Sequence, residues 1–223
     1  METADKKPAR KGTQPVTFKL KHKFSVFLWD SNYLDHLDKI GSDTPDESFI
    51  FGQKNKKHPH PSAYYVASVM SSILHRTNDP NLLIAKVATE LIHSFNTNLS
   101  KVYDDLYHEA QQIKQRLADE QALFDNIDEN VDKVFDASEA EGFNLVAPPR
   151  IVTKNLVLLV RTLKVLDNAV CDLEQLNQMC VITPPTFHKE KRALANPLRN
   201  FFLDVSTKAK RFHTKRKELS EKT

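Results

Sequence analysis

Glycine is scarce. Four occur in 223 residues, Gly12, Gly41, Gly52 and Gly142, and no two lie near each other. Loops that cradle a phosphate cluster their glycines so that the backbone N–H groups can approach the anion. A P-loop and a dinucleotide-binding fingerprint are therefore both excluded, and helices are favoured over a turn-rich all-β fold. Cysteine is rarer still. Cys171 and Cys180, nine residues apart in an apolar helical context, are too few for a structural zinc site and are expected to be buried, reduced thiols. No unbroken apolar run exceeds the five residues 156–160, far short of a bilayer crossing. The N-terminus lacks the apolar segment of a signal peptide. The expectation is a cytoplasmic protein with no membrane contact.

Catalytic signatures are missing as well. There is no G-x-S-x-G, H-E-x-x-H or C-x-x-C. Asp104-Asp105 and Asp119-Glu120 are adjacent in sequence, so neither pair shares a helix face as a general acid and base would. His58-Pro59-His60 beside Tyr64-Tyr65 has the residue types of a relaxase. The proline disfavours the central strand that such a metal site uses, and the tyrosines follow too soon. His213 and Arg216 give the H-x-x-R of a tyrosine recombinase, but no tyrosine follows Tyr107. No enzyme, metal or cofactor is expected.

What is present is segregated charge. The net charge is only +3, yet residues 1–26 carry seven Lys/Arg against two acids, and residues 186–217 carry ten against two. Residues 51–60 add three lysines and no acid, whereas residues 100–141 carry four basic residues against twelve acids. Basic ends bracketing an acidic middle point to a polyanion, with solvated faces and an anionic membrane surface as competing readings.

Periodicity supplies the elements. Phe18, Leu20, His22, Phe24 and Val26 alternate with Thr17, Lys19, Lys21, Lys23 and Ser25, so residues 16–26 read as a strand with three lysines on one face. A lone strand needs a mate. The same strand of a second copy would complete a ribbon of the kind that fits the DNA major groove; an edge strand guarded by lysines against aggregation is the alternative. Apolar residues at helical spacing predict helices over 28–40, 62–76, 80–99, 100–118 (with continuation toward 135), 153–179 and 188–206. The domain plan is a disordered basic arm over 1–15, a helical domain over 16–206 and a basic tail over 207–223.

Three features together resemble the AcaB-like regulators of conjugative plasmids and integrating conjugative elements. They are the lysine-bearing strand, the Asn78-Asp79-Pro80 helix start followed by Leu83 and Glu90, and Leu194-x-x-x-Leu198-x-x-Phe201-Phe202. The resemblance implies a dimeric transcriptional regulator with a ribbon-helix-helix element, its helices at 28–40 and 62–76. The simple motif joins these helices by a short turn, whereas residues 41–61 separate them here; an extended stretch at 145–152 is the second candidate for the ribbon. The expected DNA-binding residues are Lys19, Lys21 and Lys23 on the strand, Lys54, Lys56 and Lys57 in the loop, and Lys210, Arg211, Lys215 and Arg216 in the tail. The alternative is a helical interaction or scaffolding protein of a conjugation system.

Overall fold

His22 ends the strand that the alternation predicts. The computed structural model describes residues 16–41, 49, 60–125, 142–148 and 151–220. In it β1 spans Val16–Leu20, and helix α1 (Lys23–Trp29) starts directly after His22. His22 keeps extended backbone angles, and its Nδ1 accepts the N–H of Phe24 at 2.9 Å. That is an N-cap, and it turns the chain into a helix within the stretch read as strand. Lys23 and Val26 are therefore helical.

β1 pairs antiparallel with β2 (Phe143–Ala147), Phe18 facing Leu145 and Lys19 facing Asn144. β1 lies within the stretch read as the strand and β2 overlaps the alternative candidate at 145–152, so the two candidate positions are mates of each other. The need for a second copy to complete the ribbon disappears with that pairing. Phe18, Leu20, Leu145 and Ala147 are buried, while Thr17 and Lys19 are exposed. Gly142 precedes β2 because a Cβ there would meet the Leu20 carbonyl oxygen at 3.0 Å.

The remaining described elements are helices α2 (Tyr33–Ile40), α3 (Ala63–Leu74), α4 (Leu82–Asp125), α5 (Lys154–Gln178) and α6 (Pro184–Ser220), with a 3-10 turn at His75–Asn78. The described residues are mainly helical with one short two-stranded sheet. Gly41 ends α2 in the left-handed conformation at φ 62°. Ser62 and Thr153 cap α3 and α5 by accepting the N–H groups of Tyr65 and Leu156. Asn81 does the same for α4, accepting from Leu83 at 3.1 Å. α5 closes on Cys180 at φ 59°, followed by a Val181 N–H to Leu176 carbonyl bond of 3.0 Å.

Two helices exceed their expected lengths. The segments read as 80–99 and 100–118 are one 44-residue helix, because nothing near Ser100 interrupts the backbone ladder. α6 runs through Ser220 and takes in most of the stretch read as a tail. Pro197 lies within α6 and has no N–H for the carbonyl of Ala193, so a helical bond is lost there.

The core is organised around α5. Leu156, Leu159, Leu163, Leu166, Val170, Leu173 and Leu176 are all buried, at the spacing that turns one helical stripe inward. α4 packs along α5, α6 lies against α3, α4 and α5, and α1 packs onto α3 and α5. On α3 Tyr64, Ala67, Met70 and Ile73 are buried, with Tyr65, Val69 and Leu74 only half-buried. Cys171 is half-buried and Cys180 exposed, both free, so the expectation of two buried thiols does not hold.

Candidate polyanion-binding face

The junction from β1 to α1 is held from the middle of α5. Asp167, 3% exposed, accepts the backbone N–H of Lys21 at 2.6 Å and that of His22 at 2.9 Å. Both oxygens of one buried carboxylate are committed to consecutive amides, which fixes where α1 begins.

Phe24, in the first turn of α1, then meets α6. Lys191 Nζ lies 5.4 Å from the centre of the Phe24 ring and 4.4 Å from that of Phe187. Arg199 Cζ lies 5.3 Å from the Phe24 ring. All three distances suit cation–π attraction, which holds cations without cancelling their charge. Burial lowers the Lys191 pKa; Glu174 opposes that and Arg192 adds to it. Arg199 is lowered by burial and then by Arg192. Arg192 is thus close enough to both Lys191 and Arg199 to disfavour their charged forms.

Helical spacing extends the cluster. Arg192, Arg199, Lys210 and Lys217 follow at intervals of seven, eleven and seven residues, which return to one side of a helix. At 1.5 Å per residue they cover about 37 Å. The acids of this part of α6 are engaged elsewhere: Glu190 pairs with Arg116 at 3.9 Å and Asp204 with Lys208 at 2.8 Å.

The expected site residues separate into groups. Lys19 projects from the exposed face of the sheet, opposite Asn144. Lys21 follows the strand and lines a cleft between α4 and α5. Lys23 opens α1, so the three lysines do not form one strand row. Lys210 joins the α6 flank. Arg211 follows it on the next helical position and is exposed. Lys215 and half-buried Arg216 border a small apolar recess with Ile84, Val87, Phe212 and Leu219. Lys54, Lys56 and Lys57 lie outside the described residues, as do His58 and the arm expected over 1–15. Lys191, Arg192 and Arg199 were counted in the basic stretch but not singled out. The signal available was the seven-residue spacing of Arg192 and Arg199; their meeting with Phe24 is tertiary.

His22 adds a pH dependence. Burial pushes its pKa below 6.5, Lys191 pushes the same way, and Glu174 (3.8 Å from Nε2) and Asp167 oppose. The folded state prefers the neutral ring, and the Nδ1 cap on Phe24 needs an unprotonated nitrogen. Above pH 6.5 neither state is protonated at this group. As pH falls below 6.5 the unfolded chain takes up the proton first, so this contribution to stability is present above 6.5 and is lost as pH falls through the folded value. His22→Asn keeps a capping oxygen and removes the titration. The expected result is a smaller drop in urea midpoint between about pH 7.5 and 5.5 than in the wild type. Equal drops would show that His22 does not set this dependence.

Among the described residues no group of three or more His, Cys, Asp or Glu is placed to hold a metal ion. None of the described helices is long and apolar enough to cross a membrane. No family model, curated protein or solved structure matches the chain.

Proposed function

We propose that the protein is a double-stranded DNA-binding transcriptional regulator of a conjugative or mobile element. The observation that carries the DNA-binding part is the α6 flank, where Arg192, Arg199, Lys210 and Lys217 succeed one another along one side of the helix, Arg199 lies over the Phe24 ring, and Glu190 and Asp204 are paired with Arg116 and Lys208. Its length of about 37 Å is near one turn of duplex, about 34–36 Å. Such a row neutralises phosphates and releases their counterions, which supplies affinity without sequence preference.

The two-stranded sheet is the candidate reader. Its outward face presents Lys19 opposite Asn144, and lysine and asparagine are the residue types that recognise guanine and adenine edges. This is a ribbon made within one chain, an alternative to the dimeric ribbon-helix-helix. The mobile-element setting rests on the resemblance of the strand and helix motifs. A second reading, an interaction or scaffolding protein, is favoured by Leu82 and Leu83, 84% and 48% exposed at the start of α4.

Fluorescence anisotropy with a generic duplex, titrated across salt, tests the proposal. Wild-type affinity should fall steeply with salt. Arg192→Gln, Arg199→Gln and Lys210→Gln together should weaken binding to every duplex and reduce the log–log salt slope by about 2–3. Lys19→Ala should chiefly reduce discrimination between duplexes once a preferred site is known. Absence of binding at low salt rejects the proposal and leaves the interaction reading.

A further inference from the structure

Ala110 of α4 and Ala169 of α5 are small and buried, and beside them a cleft of about 280 Å³ opens between the two helices. Its lining is chemically mixed in a specific way. Lys21, from the end of β1, and Lys114, from α4, both reach it, together with the half-buried Asp172 of α5. Neither lysine is in an ion pair with an acid among the described residues. Burial raises the pKa of Asp172, and Lys114 and Lys21 draw it back down. The cleft thus holds two ammonium groups against one carboxylate.

Two further features narrow the occupant. Tyr107 is 48% exposed on the wall and lies nearly parallel to Tyr103, ring centres 6.0 Å apart at 20°. The backing ring steadies Tyr107 and leaves it as a platform for a planar group. Gln111 and Gln175 contribute carboxamides, each both donor and acceptor. Paired ammonium groups suit a doubly charged phosphate, an exposed ring suits a heterocycle, the carboxamides suit a ring edge carrying donors and acceptors, and a carboxylate accepts from hydroxyls. The volume is at the low end for ligand sites, about 300 Å³, which admits one nucleotide and not a strand.

We infer that the α4–α5 cleft binds a nucleoside monophosphate, with Lys21 and Lys114 toward the phosphate and Tyr107 beneath the base. This does not depend on the DNA-binding proposal, because the α6 flank lies on other residues.

Calorimetric titration of the full chain with AMP, GMP, CMP and UMP, and separately with inorganic phosphate, tests it. Saturable binding of at least one nucleotide is expected, with a Kd of about 1 mM or tighter. Inorganic phosphate, which has no ring, should bind at least about tenfold more weakly. Lys114→Gln and Tyr107→Leu should each weaken nucleotide binding by about tenfold, while Lys114→Arg retains it. Both side chains are exposed, and unchanged circular dichroism would show the fold intact. Arg192→Gln with Arg199→Gln should leave nucleotide affinity unchanged, which separates this site from the DNA-binding face. The inference is overturned if none of the four nucleotides binds, if phosphate alone binds as tightly, or if affinity survives both Lys114→Gln and Tyr107→Leu.

Discussion

Asp167→Ala should destabilise the protein by about 3 kcal/mol. Each hydrogen bond to an ionised acceptor contributes about 1.5–3 kcal/mol, and this carboxylate accepts two, from Lys21 and His22. Removing it leaves two part-buried N–H groups without their acceptor, although the cost of burying the carboxylate is also removed. The change links α5 to the β1–α1 junction across 146 and 145 residues of sequence, so its effects should concentrate there. Urea denaturation measures the free energy, and hydrogen exchange should show the Lys21 and His22 amides opening first. Asp172→Ala, on the same helix but facing the cleft, serves as the control. A loss below about 1 kcal/mol, or exchange accelerating equally everywhere, would contradict the role given to Asp167.

Trp29→Ala should cost more, about 4 kcal/mol, within the usual range for deleting a large buried aromatic. The only tryptophan in the chain is 0% exposed. Its ring meets Phe18 of β1 edge-on at 5.0 Å and Tyr64 of α3 at 5.7 Å. It therefore joins the sheet, α1 and α3 into one core. Among the described residues its Nε1 has no hydrogen-bond partner, so Trp29→Phe forfeits contact area and no hydrogen bond seen there. That variant should lose only about 1–2 kcal/mol. Thermal unfolding followed by far-ultraviolet circular dichroism should show a Tm roughly 8–16 °C lower for Trp29→Ala, at about 2–4 °C per kcal/mol for a chain of this size. Similar losses for the two variants would mean that the indole nitrogen, or the precise indole shape, matters more than the buried area.

α5 and the first half of α6 were legible because their signals are local. α5 carries leucines at helical spacing for about six turns, and α6 keeps Leu194, Leu198, Phe201, Phe202 and Val205 inward as expected. Helix ends were harder. Apolar spacing fades after Val205, yet α6 continues because Ala209 and Phe212 still find core partners. The strand was legible only to Leu20. Alternation continues through Val26, but a histidine cap and the two amides held by Asp167 redirect the chain. Tyr64 and Tyr65 are neighbours on α3, and Tyr64 is the one that meets Trp29. Periodicity alone cannot choose between two adjacent tyrosines when both neighbour apolar residues.

The same division applies to function. Sequence by itself determined the helical class, the scarcity of phosphate-cradling glycines and the concentration of basic residues in α6, since each follows from composition or from spacing along the chain. Only the tertiary structure decided which cations meet. β1 pairs with β2 across more than a hundred residues, Phe24 reaches Lys191 and Arg199, and Lys21 shares a cleft with Lys114 and Asp172. Those encounters depend on how buried faces of distant segments pack, and no local pattern encodes the partner of a face.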